Sequence, residues 1–139
     1  GKVFTTPGWR VIKDRGSLLI EPVQEAVKPL LEIKEHPYTP DFIIPRDKAT
    51  ACFDADKLKH PLSLRLCKQG DSFVPFGMKG RKKVSDYLTD RKFSLLRKER
   101  QWVLCCGDDI IWLVGERADN RFRIDEKTRK VLVVSTTGQ

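Results

Sequence analysis

Apolar and polar positions in this chain mostly follow a period of two, in short runs broken by glycine, proline or aspartate, which predicts strands more often than helices. Residues 9–13 and 18–21 flank Asp14-Arg15-Gly16-Ser17 and predict a hairpin that Pro22 ends. Residues 41–45 and 50–54 read as two short strands, followed by an Asp-led turn at Asp54-Ala55-Asp56-Lys57-Leu58. Leu62, Leu64 and Leu66 alternate with Ser63, Arg65 and Cys67, a strand with one leucine face. Residues 102–106 and 110–114 are nearly continuous apolar runs joined by Gly107-Asp108-Asp109, so they predict a hairpin buried on both faces. On that strand the neighbours Cys105 and Cys106 point to opposite sides. Residues 121–125 and 130–134 predict a closing hairpin around 126–129, with Arg121 and Arg123 on one strand face.

The helical period appears twice. Val84, Tyr87 and Leu88 stand at i, i+3 and i+4, the core stripe of a short helix ending near Asp90. Ser94 is placed to cap a second helix over 95–100. Residues 23–40 resist either period. Residues 23–27 could form one helical turn, but Pro29, Pro37 and Pro40 prevent a long helix, so the segment is expected to link or wrap. The tally, roughly nine strands to two or three short helices, predicts an α+β fold dominated by antiparallel sheet.

Composition narrows the class. At 40% hydrophobic and 33% charged the chain suits a soluble globular protein, and no apolar run approaches the roughly 20 residues of a membrane span. It opens Gly1-Lys2-Val3-Phe4 without an initiator Met, so a piece of a longer protein is expected. Cys52, Cys67, Cys105 and Cys106 form no C-x-x-C pair, and His36 and His60 lie in proline-flanked loops; buried reduced thiols are expected rather than zinc or a disulfide framework. Residues 1–63 hold 10 Lys+Arg against 9 Asp+Glu, whereas residues 64–139 hold 17 against 10. That shift suggests two regions, 1–61 (hairpin and linker) and 62–139 (a basic domain). It also favours a polyanionic partner, nucleic acid ahead of an anionic membrane.

The richest stretch is 70–88, Gly-Asp-Ser-Phe-Val-Pro-Phe-Gly-Met-Lys-Gly-Arg-Lys-Lys-Val-Ser-Asp-Tyr-Leu. Its glycines permit tight turns, and Lys79, Arg81, Lys82 and Lys83 gather where the first helix should start, a combination suited to an anion. Gly77-Met78-Lys79-Gly80 spells the G-x-x-G by which KH domains clamp a nucleic-acid backbone, but KH loops join two helices and residues 73–76 read as extended. No Walker spacing, nucleophile elbow or Cys–His and Ser–His pairing accompanies the loop, so catalysis by this stretch is not expected. The Asp54/Asp56 pair is read as turn chemistry, having no third ligand nearby.

These residues, with Arg65 before them and Ile110-Ile111-Trp112-Leu113-Val114-Gly115-Glu116-Arg117 and Arg121-Phe122 after, closely resemble the C-terminal region of bacterial tRNA(Ile)-lysidine synthetases. The resemblance is specific over about 62–134 and looser over 1–61. One departure is that Lys98 and Trp102-Val103 stand where the family often has Arg and then Trp-Pro. The resemblance implies a mostly antiparallel, sandwich-like domain similar to one in the phenylalanyl-tRNA synthetase β subunit. It implies a cytoplasmic ligase that attaches lysine to the wobble cytidine of tRNA(Ile). The catalytic PP-loop domain, with its S-G-G-x-D-S motif and its ATP and Mg, lies upstream of this chain. No cofactor is implied for the chain itself. Its implied partners are tRNA(Ile), met at the acceptor-stem side, and the enzyme's own N-terminal catalytic domain, with no membrane. Candidate tRNA contacts are Arg65, Lys79, Arg81, Lys82, Lys83, Arg117 and Arg121. The competing expectation is a structural or self-association module, such as a homodimer, whose basic surface touches no RNA.

Overall fold

Twelve strands, two α-helices and two 3-10 turns make up the regular structure of residues 3–6, 9–14, 17–22 and 28–137, which a computed structural model of the chain describes. In chain order the strands are β1 (Val3–Thr6), β2 (Trp9–Asp14), β3 (Ser17–Pro22), β4 (Leu30–Pro37), β5 (Thr50–Asp54), β6 (Leu62–Leu66), β7 (Ser72–Phe73), β8 (Lys82–Lys83), β9 (Trp102–Cys106), β10 (Asp109–Leu113), β11 (Arg117–Ala118) and β12 (Lys130–Thr137). The helices are α1 (Val84–Asp90) and α2 (Leu95–Glu99), and the 3-10 turns are Ala55–Lys57 and Asn120–Phe122. All strand pairs among the described residues are antiparallel.

The sheet β11-β10-β9-β6 lies at the centre, buried on both faces. Along β9, Val103 and Cys105 face one core and Leu104 and Cys106 the other, as the period of two requires. The first core is closed by the stripe Val84, Tyr87 and Leu88 of α1, together with Phe73 and Phe93. The second is closed by Ala51 and Phe53 of β5, Val134 of β12 and Phe122. Helices, central sheet and the sheet β4-β12-β5 thus form three layers. On β10 the alternation fails: Ile110 and Leu113 belong to the first core, but Ile111 and Trp112 both belong to the second. A register shift between Ile110 and Trp112 accounts for this, since a bulge inserts one residue and swaps the faces beyond it.

Several expectations hold. The first hairpin forms with Asp14 opposite Ser17 and gains β1 as a third strand; the Gly16 turn position and the helical turn expected at 23–27 lie outside the described residues. Helix α1 ends at Asp90, and the Ser94 side chain caps α2 by accepting from the Arg97 amide. Asp54 caps the first 3-10 turn by accepting from the Asp56 amide at 3.0 Å, and its other oxygen accepts from Thr128 at 2.9 Å, which confirms turn chemistry. All four cysteines carry free thiols.

Other expectations need correction. Residues 41–45 form no strand; they run between Pro40 and Pro45 as turn and irregular chain. Part of the supposed linker is instead the eight-residue strand β4, stabilised by full pairing with β12 and not by its own pattern, for most of its side chains are exposed. Residues 121–125 are not a strand, so Arg121 and Arg123 do not share a strand face. The Asp119 side chain takes the Arg121 amide and turns residues 120–122 into 3-10 form, leaving β12 to pair with β4 and β5. Because β12 lies between those two strands, the change of charge near residue 61 is not a break in the packing of residues 30–137. Ile111, fully buried between the layers, provides a measure of that packing: Ile111→Ala is expected to cost about 2–5 kcal/mol in urea unfolding, the range for a large-to-small change in a close-packed core.

Candidate nucleic-acid interface

The basic stretch forms the tip of a small hairpin. β7 and β8 pair with Ser72 opposite Lys83 and Phe73 opposite Lys82, and residues 74–81 make the loop between them. The Met78 amide donates to the Pro75 carbonyl at 2.9 Å, closing a turn in which Gly77 has φ +86°. That position needs glycine. Gly80 has no positive φ and no atom within 4 Å of where a Cβ would stand, so the second glycine of the G-x-x-G is not a geometric requirement. The loop joins two strands and not two helices, unlike the KH arrangement.

A neighbouring segment holds this loop through its backbone. Phe76 N–H donates to the Ala118 carbonyl at 2.9 Å, and Asn120 N–H donates to the Val74 carbonyl at 2.7 Å. The Asn120 side chain accepts from the Gly77 amide and donates to the Met78 carbonyl, each at 3.1 Å. Arg117 donates from Nη2 to the Phe76 carbonyl at 2.6 Å. Behind them Asp119 is fully buried. Its carboxylate accepts from the Val74 amide (2.9 Å), the Arg121 amide (2.8 Å), and Nε and Nη2 of Arg121 (both 3.0 Å). A buried charge needs such partners. The hydrogen bond to Asp119 also raises the Arg121 guanidinium above its ordinary pKa.

The seven predicted contact residues therefore divide. Lys79 and Lys83 are exposed, and their side chains hold no hydrogen bond or ion pair among the described residues. Arg81 donates to the Ser72 hydroxyl at 3.1 Å, and Lys82 pairs with Asp90. Arg117 and Arg121 are committed to the latch just described, while each keeps part of its guanidinium in solvent. Arg65 stands at the hairpin's base, where Nη1 and Nη2 grip Asp71 at 2.8 and 3.0 Å. Asp71 also accepts from the Lys68 amide, and its carbonyl accepts from the Val84 amide. The start of α1 is consequently not a free anion site: its first amide is used, and the helix has only seven residues. Farther off, Lys98 donates to the Thr89 hydroxyl and Arg97 lies 3.8 Å from the centre of the Phe93 ring.

The sequence reading missed Asp119, Asn120 and Asp71, because an acidic residue in a turn has the same pattern whether it is solvated or latching a loop. The one available signal was the Asp-Asn pair itself, two side chains prone to bond nearby backbone. Thiol chemistry is disfavoured: burial, reinforced by Asp47, pushes the Cys52 thiol up to about 11, and burial likewise raises Cys67 and Cys105. Among the described residues no group of three or more His, Cys, Asp and Glu is placed to hold a metal ion. No helix among them is long and apolar enough to cross a membrane.

The family model described as "TilS substrate C-terminal domain" matches residues 62–134, the interval that carries both the central sheet and the latched loop. The chain belongs to this family. The tRNA(Ile)-lysidine synthase of Bacteroides thetaiotaomicron is 61% identical over 137 residues, covering 96% of this chain and 32% of its own length. That of Parabacteroides distasonis is 48% identical over 153 residues, covering 99% of this chain and 35% of its own length. The chain thus spans about a third of these relatives, and their likeness extends well before residue 62. A crystal structure of a TILS C-terminal domain superposes with a TM-score of 0.62 over 78% of this chain and 85% of that one, at 18% identity. An N-terminal fragment of the phenylalanyl-tRNA synthetase β subunit from Pyrococcus horikoshii gives 0.55 over 63% and 27%, at 19% identity. Both support the expected fold: mostly antiparallel sheet with few helices.

The latch and the hairpin base each have a measurable consequence. Asp119→Ala leaves the Val74 and Arg121 amides and the Arg121 guanidinium without their acceptor; it is expected to cost about 2–4 kcal/mol in denaturant unfolding. At the hairpin base, burial raises the Asp71 carboxyl, but its bonds from Arg65 and the Lys68 amide outweigh that and leave it below the ordinary 3.8. The folded state then holds the Asp71 proton less tightly than the unfolded chain. The stabilisation is complete above the ordinary value and lost as pH falls through the folded one. Thermal unfolding midpoints should decline on acidification below about pH 4, and Asp71→Asn should flatten that part of the profile.

Proposed function

We propose that this chain is the RNA-docking part of a tRNA(Ile)-lysidine synthase, and that the loop over residues 74–81 with Lys83 rests on phosphates of tRNA(Ile) at its acceptor-stem side. In this reading residues 62–134 supply the docking surface. A catalytic part of the same cytoplasmic protein supplies the ATP- and Mg-dependent ligation of lysine to the wobble cytidine. The observation that carries it is the pairing of two unengaged lysines, Lys79 and Lys83, with a loop backbone fixed at Val74, Phe76, Gly77 and Met78. A-form RNA offers its phosphates and 2′-hydroxyls more readily than its deep major groove, so charged groups on a fixed frame suit a duplex stem. Arg81 and the solvent-facing part of Arg117 add charge to the same hairpin, whereas Arg65 and Arg121 act as positioning residues.

If about four phosphates are neutralised, affinity for the tRNA falls by roughly two decades between 50 and 200 mM salt. A Lys79→Ala/Lys83→Ala variant should lose about tenfold in affinity, with the salt slope reduced by about two, in filter binding with a tRNA(Ile) transcript. Its unfolding transition should be unchanged, because neither lysine has a partner to lose. Equal binding by variant and parent would sink this assignment; equal binding with a changed molecular mass in solution would establish the self-association module instead.

A further inference from the structure

Beside the latched loop, and sharing Phe76 and Arg117 with it, lies a cavity of about 410 Å³. Ile44, Phe76 and Ile124 form much of its apolar wall, and Trp112 closes its floor. Phe76 belongs to both features: its carbonyl is held by Arg117, while its ring, 51% exposed, lines the cavity. The rim carries Arg46, Lys48 and Arg117. Two carboxylates also line it, but Glu116 is already paired with Arg91 at 2.9 Å and its side chain is only 9% exposed. Asp47 is left as the accessible acceptor in a predominantly cationic mouth.

We propose that this cavity receives one unpaired nucleotide of the RNA whose backbone lies on the loop, and that Asp47 favours a base bearing an exocyclic amino group. The inference rests on the docking role proposed above. Three features lead to it. The volume falls within the range of small-ligand pockets. An aromatic ring beside a flat guanidinium is the setting in which proteins stack a splayed-out RNA base. The cationic rim matches the phosphate that such a nucleotide carries, and a carboxylate inside it can accept from the exocyclic amino group of cytosine or adenine, a donor that uracil lacks, its own being the ring N3–H.

The test uses the whole chain and three RNA hairpins of the same stem, one blunt, one with a single-stranded cytidine tail, and one with a uridine tail. Fluorescence anisotropy should show the cytidine-tailed hairpin binding about five- to tenfold more tightly than the blunt one, as one stacked base would give. The uridine tail should gain less than the cytidine tail. Ile44→Ala, which trims an exposed wall residue outside the loop, should remove most of the tail's gain and leave blunt binding and the melting temperature unchanged. Asp47→Asn should narrow the gap between cytidine and uridine tails. Salt-sensitive binding of all three hairpins with equal affinity would overturn the cavity assignment while leaving the docking role standing; that is also the outcome if an apolar side chain from another part of the protein fills the cavity. Binding to none of the three would remove both.

Discussion

The surface of this domain depends on a carboxylate that the surface does not show. Asp119 is out of contact with water, yet the amide of Val74, the amide of Arg121 and two guanidinium nitrogens of Arg121 converge on it. Because an unpaired buried charge is costly, these donors cannot leave singly without penalty. One residue thereby fixes three things. It sets the path from β7 into the loop at Val74. It drives residues 120–122 into a 3-10 turn, and it directs the Arg121 side chain. Asn120, carried on that turn, then has the position from which it grips Gly77 and Met78.

This dependence changes how the positive charge should be counted. A tally of Lys and Arg treats every cation after residue 64 as surface available to a polyanion. In the fold, Arg65, Lys82, Arg91 and Arg121 are each engaged by a carboxylate, and Lys98 by a hydroxyl. These pairs shape the hairpin and its supports; what remains for a partner is a smaller set in which Lys79 and Lys83 stand out. Anchoring the fold and facing solvent are thus divided between members of the same two residue types.

The parts legible from sequence are those decided locally. Helix α1 follows from Val84, Tyr87 and Leu88, α2 from the Ser94 cap, and the β9–β10 hairpin from two apolar runs around a short polar turn. The parts that were not legible are decided by distant partners. β4 has exposed side chains and becomes a strand only because β12 pairs with it, residue against residue, from Lys130–Pro37 to Thr137–Leu30. The bulge on β10 cannot be read from Ile-Ile-Trp-Leu, since every residue there is apolar on either face. In the candidate interface the basic loop was visible as a cluster. Its division into bound and unbound cations was not, because that depends on which carboxylates the fold brings to it.

The place of β12 between β4 and β5 has a consequence for how the domain is made. Ala51, Phe53 and the edge formed by residues 30–37 have no sheet to join until residues 130–137 have been synthesised. On a ribosome the helical face of the central sheet can close early, with α1 and β6 through β10 in hand, while the opposite face waits. Such long-range pairing is intrinsically slow, and it leaves the apolar side chains of β5 without their sheet until β12 has been made. The final strand is therefore a seal: until it arrives, the nascent chain presents Trp112 and Ile111 to whatever chaperone or neighbouring chain is at hand.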